Sequence, residues 1–185
     1  MPFEPQPYLS GALVDVRPLR AEDFADLYAV ASDPLIWEQH PARDRHRKDE
    51  FTRFFREALD SRGALAVIDR REGRLIGSSR YHGYDSDRGE VEIGWTFLAR
   101  SHWGGAYNSE LKRLMLQHAF RFVGTVVFLV GPDNIRSRRA VERIGGVLSG
   151  TWADGDGVES LLYRIDSRSC VPSWSPSPRS PSSSV

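Results

Sequence analysis

The sequence predicts a mixed α/β domain: a mostly antiparallel sheet of about seven strands flanked by about four helices. Three observations carry this. Apolar segments of strand period and of helix period alternate along residues 13–166. Residues 64–97 hold three strand-like runs separated only by short Gly- or Asp-rich turns, the pattern of an antiparallel meander. The longest amphipathic stretch, from about Gly105 to Val123, runs directly into a continuous apolar segment, Thr125 to Val130.

Residues 1–12 read as an N-terminal extension, and Leu13-Val-Asp-Val-Arg17 alternates as a first strand. Ala21 to Ser32 places Phe24, Leu27, Tyr28 and Ala31 at helical spacing, and Asp33-Pro34 stops that helix. A charged stretch, Arg43 to Glu50, leads into a second helix whose apolar face is Phe51, Phe54, Phe55, Ala58 and Leu59. Ser61-Arg-Gly63 ends it.

Strands follow at Ala64 to Asp69, Leu75 to Tyr84 and Glu90 to Phe97. On the third of these, strict alternation sets Glu90, Glu92, Gly94 and Thr96 on one face. Val91, Ile93, Trp95 and Phe97 fall on the other. The long helix carries Leu111, Leu114, Met115, His118, Ala119 and Phe122 on one stripe. Thr125 to Val130 reads as a strand buried on both faces. After the turn Gly131-Pro-Asp-Asn134, a last helix reaches Ile144 and stops at Gly145-Gly146. Val147 to Ala153 and Ser160 to Ile165 close the domain as a hairpin. Residues 167–185 are rich in Ser and Pro and poor in aliphatic side chains, so they are expected to form a disordered tail.

Composition narrows the function classes. The 25 basic and 25 acidic residues balance to a formal net charge of zero. A bulk-electrostatic nucleic-acid binder or a polybasic membrane-surface protein needs a cationic surplus, so neither partner is expected. All basic residues except Lys48 and Lys112 are arginine, the mark of GC-rich coding. One cysteine, Cys170, leaves no intrachain disulfide and no Cys-based zinc site. The five histidines show no metal-ligand spacing, and no metal is expected. The first residues lack the basic and apolar regions of a secretory signal, and no apolar run is long enough to span a bilayer. The expected compartment is the cytoplasm, and the expected state a monomer or homodimer.

The chemistry is concentrated between Glu90 and Asn108. There a strand passes through a short loop into the longest helix. Trp103-Gly104-Gly105-Ala106 opens that helix with two residues that lack a Cβ. Unpaired N–H groups and the positive dipole end at such a point favour an anion, so a pyrophosphate can stand where a side-chain cap would. The competing reading is a plain loop with glycines for tight packing. Neither a Walker A loop nor a dinucleotide fingerprint is present.

Several segments, in order, look like the GNAT superfamily of acetyl-CoA-dependent N-acetyltransferases. They are Val16-Arg-Pro-Leu-Arg20 with Glu22-Asp23, Glu92-Ile-Gly-Trp95, Trp103-Gly-Gly-Ala-Tyr-Asn108, and Asn134-Ile-Arg-Ser137 through Ile144-Gly145. Within it, Arg100-x-x-Trp103-Gly104-x-x-Tyr107 resembles the branch that acetylates ribosomal-protein amino termini. The resemblance implies the acyl-CoA N-acyltransferase fold and acetyl-CoA as cosubstrate. It implies that Trp103, Gly104, Gly105, Ala106, Tyr107 and Asn108 hold the pyrophosphate, with Arg100 near it. The strand end Phe97-Leu98-Ala99 would pair with the pantetheine amides, and Asn134 would lie beside that arm. Arg139 would reach the CoA 3′-phosphate, against the competing reading of a solvated basic face.

Glu92 is the candidate general base, because an amine acceptor arrives protonated and must lose a proton before it attacks. A strand glutamate paired with an arginine is the alternative. Relatives place a tyrosine seven residues after the Asn, where this chain has Val141. The proton for the departing sulfur then falls to Ser137 or water. Ser137 serving only to cap the last helix is the competing explanation. Trp37, Glu38 and Tyr81 are the acceptor-site candidates, offering aromatic walls and a carboxylate for a cationic amine. A non-catalytic acyl-CoA-binding module on the same fold is the alternative function.

Overall fold

The computed structural model describes residues 2–155 and 157–168. The predicted tail lies, apart from Ser167 and Arg168, outside the described residues. Among the described residues eight strands form one sheet: β1 (Leu9–Ser10), β2 (Val14–Pro18), β3 (Ala64–Asp69), β4 (Leu75–Asp85), β5 (Glu90–Leu98), β6 (Thr125–Val130), β7 (Val147–Ala153) and β8 (Glu159–Asp166). Four α-helices accompany them: α1 (Phe24–Ala31), α2 (Lys48–Asp60), α3 (Ala106–Ala119) and α4 (Ile135–Arg143). The strand order is β1-β2-β3-β4-β5-β6-β8-β7, antiparallel throughout except for β5 beside β6. The mixed α/β class holds, and the eighth strand is the two-residue β1 inside the N-terminal extension. Its alternation is too short to register as a pattern.

The helices bury the faces that their periodicity marked. Phe51, Phe54, Phe55 and Ala58 of α2 pack with Leu27 and Ala31 of α1, and with Trp37 and Phe97, on one side of the sheet. Leu111, Leu114, Met115 and Ala119 of α3 pack on the other side, against sheet residues such as Val67, Ile76, Val91 and Ile93. α3 stops four residues before the predicted Val123. Its chain folds over in a turn in which the amides of both Phe122 and Val123 bond the Ala119 carbonyl.

Two expectations fail for local physical reasons. The β6 strand is not buried on both faces: Val126, Phe128 and Val130 are buried, whereas Thr125, Val127 and Leu129 are only half-buried. Val127 and Leu129 line an open cleft. The alternation of β5 also reverses partway. Arg80 pairs with Gly94 and Ser78 with Phe97, so Trp95 and Thr96 together oppose the single residue Ser79. This is a β-bulge, and Trp95 sits in it at φ +50°. Val91 and Ile93 therefore face α3, while Trp95 and Phe97 join the α1–α2 side.

One further irregularity positions the cleft. β5 and β6 pair in parallel only from Glu90↔Thr125 to Glu92↔Val127. Beyond that the strands part, leaving one edge of residues 93–98 facing residues 128–130 across a gap. No helix among the described residues is long and apolar enough to cross a membrane.

Candidate active site

The gap between β5 and β6 widens into a cleft of about 990 Å³. Its floor and walls bring together residues far apart in sequence: Trp37, Glu92, Phe97, Leu98, Asn134 and Ser137. Trp103, Gly104, Gly105 and Asn108 close the end nearest α3.

The α3 terminus has the properties of an anion seat. Gly105 is the N-cap residue, and no side chain caps the helix. The first helical bond runs from the Ser109 amide to the Gly105 carbonyl at 3.4 Å. Gly104 takes φ +85°, a conformation that glycine adopts freely. A Cβ added at either glycine would meet no protein atom within 4 Å, so a side chain there would occupy the space open to a ligand. The residues present thus fit a pyrophosphate held by backbone amides. Trp103 frames the seat: its indole N–H donates to the Leu98 carbonyl at 2.9 Å, and the Arg136 guanidinium lies 3.9 Å from the centre of its ring.

Not every predicted contact reaches this cleft. Ala99 and Arg100 line a separate, smaller cavity of about 490 Å³, where Arg100 forms an ion pair with Asp33. Ala106 is exposed, and Tyr107 packs edge-on against the His102 ring at 4.7 Å. Arg139 is outside the cleft lining, which Arg143 joins instead. Glu38 is exposed and also outside the lining. Tyr81 is buried, and its hydroxyl donates to the Met115 carbonyl at 2.6 Å. It is part of the α3-side core and not of the cleft, because α3 covers it there together with Ile76 and Ile93. Asn134 caps α4 through its own side chain, accepting from the Ser137 amide at 3.1 Å. Ser137 is therefore the recipient of the cap and not its source.

Glu92 lines the cleft on the strand face opposite Val91 and Ile93. Burial pushes its carboxyl up to about 7, against the pull of the Arg80 and Lys112 charges. Lys112 carries no motif that sequence reasoning could single out. It projects from α3 into the same cleft, buried, with Nζ donating to Thr96 Oγ1 at 2.5 Å. Thr96 Oγ1 in turn lies 2.7 Å from Ser79 Oγ. Nζ also lies 5.3 Å from the centre of the Phe128 ring on β6, so it spans the gap between the parted strands. Burial brings the Lys112 ammonium down to about 7, with Glu92 favouring the charged form. A signal was available: Lys112 is one of two lysines in an arginine-rich chain and stands between Leu111 and Leu114-Met115-Leu116. A carboxylate that is half-ionised near neutrality, in a water-accessible cleft, can accept a proton from an incoming ammonium.

Comparison with known proteins points the same way. A family model described as an acetyltransferase (GNAT) domain matches residues 14–147. A GCN5-related N-acetyltransferase from Brucella melitensis superposes with a TM-score of 0.76 at 22% identity, covering 87% of this chain and 79% of that one. A probable acetyltransferase of the GNAT family from Chromobacterium violaceum gives 0.78 at 19% identity, covering 89% and 88%. Mycobacterium smegmatis RimJ, solved in complex with CoA-disulfide, gives 0.65 at 20% identity, covering 84% and 82%.

Proposed function

The chain belongs to the GNAT family of acetyltransferases, and we propose that it transfers the acetyl group of acetyl-CoA to a primary amine by direct attack in a ternary complex. The observation that carries this reading is the parted β5–β6 pair opening onto the uncapped, glycine-lined start of α3. Backbone amides of the first turn of α3 would hold the pyrophosphate, and the free β5 edge near Phe97 and Leu98 would take the pantetheine arm as an added strand. Acetyl-CoA supplies an activated thioester carbonyl.

The chain's own residues supply the proton traffic. Glu92 accepts a proton from the acceptor ammonium and passes it to solvent through the open cleft. Lys112 and Arg80 set the pH at which Glu92 can do so. The Ser137 hydroxyl, held on the first turn of α4 by the Asn134 cap, stands in the cleft as the group that returns a proton to the departing sulfur. The acceptor is a protein amino terminus or a small-molecule amine. The Arg100-x-x-Trp103-Gly104-x-x-Tyr107 pattern supports the former.

A second reading, a non-catalytic acyl-CoA-binding module, draws on Val141, an aliphatic side chain in the cleft lining where relatives carry a proton-donating tyrosine. Calorimetry with CoA, together with a thiol-release assay over a panel of amines, separates the two. Acetyl transfer requires both CoA binding and turnover; binding with no turnover for any amine selects the module.

A further inference from the structure

The loop between α1 and α2 folds His40 and Arg45 over the acceptor end of the cleft, which both residues line. The amide of Ala42 donates to His40 Nδ1 at 2.9 Å. That bond makes Nδ1 the acceptor nitrogen, so the proton of the neutral ring sits on Nε2. Burial, with the Arg45 and Arg136 charges nearby, pushes His40 down to about 3, which keeps the ring neutral in ordinary buffers. Nε2 then faces Arg45 Nη1 at 3.3 Å. Both atoms are donors. With the proton on Nε2 they do not satisfy each other, and a shared acceptor could take both; no carboxylate among the described residues forms an ion pair with Arg45.

A second arginine adjoins them. The Arg45 guanidinium lies 4.5 Å from the centre of the Phe54 ring, and that of Arg80 lies 5.7 Å from the same ring and 4.6 Å from Trp95. Arg80 is 6% exposed, and its Nε and Nη2 are enclosed with no hydrogen-bond partner among the described residues. Neither arginine has a carboxylate within ion-pair distance among the described residues. Glu57 and Glu92 act on them only at longer range. A buried Arg80 beside a half-buried Arg45, with no counter-ion in contact, is destabilising, and an anion in the cleft would relieve it. It also lies next to the base: Arg80 pairs with Gly94, and His82, two residues further along β4, pairs with Glu92.

We propose that the acceptor is an amine that also carries a carboxylate, with the carboxylate seated on His40 and Arg45, the buried Arg80 charge behind them, while the amine faces Glu92. The inference rests on the acetyl-transfer reading and, of the two acceptor classes given there, selects the small-molecule amine over the protein amino terminus that the loop pattern alone supports. The planar guanidinium fork of Arg45 and the His40 Nε2–H donate to the two carboxylate oxygens, and the Arg80 charge behind them completes the neutralisation.

The test is a ladder of ω-amino acids from glycine to 6-aminohexanoate, each compared with the alkylamine of equal length. At the fitting length the amino acid is expected to exceed its alkylamine in kcat/KM by about 10⁴-fold, the scale on which a site with buried polar groups rejects an analogue that leaves them unpaired. A second readout needs no turnover: calorimetry of the N-acetylated ω-amino acid against the matching N-alkylacetamide, on protein saturated with CoA. Arg45→Met is expected to collapse the ratio in both, and Arg45→Lys, which keeps the charge but loses the fork, to lower it partly. CoA affinity, unchanged in both variants, reports that each has folded. Turnover of alkylamines and amino acids at equal rates would overturn the inference and leave acetyl transfer standing. Loss of CoA affinity in Arg45→Lys would also overturn it, by assigning the cations to the phosphates of CoA. A protein that neither binds CoA nor releases thiol with any amine would remove both readings together.

Discussion

Replacing Lys112 with Met removes one of the two cations that oppose the effect of burial on Glu92. Burial alone drives that carboxyl upward, and the Arg80 and Lys112 charges restrain it at about 7. Methionine retains an unbranched apolar stem and a thioether that can pack on Phe128, while the ammonium's contact with that ring and its bond to Thr96 are lost. A nearby opposite charge lowers a carboxylate's pKa, and because Lys112 acts on Glu92 without a direct ion pair and after Arg80, an effect at the small end of the usual range applies. The acid limb of kcat/KM against pH should therefore rise by about one pH unit. A group half-ionised at neutral pH then falls to about a tenth ionised, a roughly five-fold loss of rate at pH 7 with little loss on the alkaline plateau. Lys112→Arg, which cannot lose its charge, should leave the limb in place or lower it. The assay is thiol release from saturating acetyl-CoA between about pH 5.5 and 9.5, with CoA affinity measured alongside. An unmoved limb in Lys112→Met, or one displaced to lower pH, would refute the electrostatic coupling of these two residues.

Three other outcomes follow from the same geometry. Glu92→Gln should lower turnover by about 10²–10⁴-fold and flatten the acid limb without changing the Kd for CoA, since only the proton acceptor is lost. Gly105→Val should leave the fold intact, because a Cβ there meets no protein atom within 4 Å; its Kd for CoA should weaken at least about ten-fold as the side chain fills the anion seat. Tyr81→Phe should reduce stability by about 0.5–1.5 kcal/mol through loss of the hydroxyl bond to the Met115 carbonyl. It should leave the KM for the amine unaltered; a raised KM would return Tyr81 to the acceptor cleft.

The parts of the fold that follow from periodicity were legible. The α1 and α2 faces, the meander β3–β5 and the α3 stripe all read directly from spacing, because one side of each packs against the sheet. The start of α3 after two glycines, with no side-chain cap, was legible too. What escaped the sequence was set by breaks in regularity. The bulge at Trp95 reverses the face of Phe97, and no local pattern marks a tryptophan at positive φ. Tyr81 alternates like a cleft residue but is covered by α3, a contact made from more than thirty positions away. Lys112, Arg45 and Arg80 carry no motif. Lys112 is marked in the sequence only by its rarity, and Arg45 and Arg80 stand out once the fold shows their enclosure, since a sequence gives composition but not burial.

The kink at Trp95 also ties the shape of the cleft to packing on the other face of the sheet. Were β5 to relax into an even pleat, Phe97 would leave its seat among Trp37 and Phe54 and forfeit on the order of 2 kcal/mol of burial, more than the roughly 1–2 kcal/mol that a left-handed residue costs. Hydrophobic packing on a remote face thus polices the geometry of the reactive one, so that a substitution at Phe97 or Phe54 would blunt catalysis by letting the strand straighten.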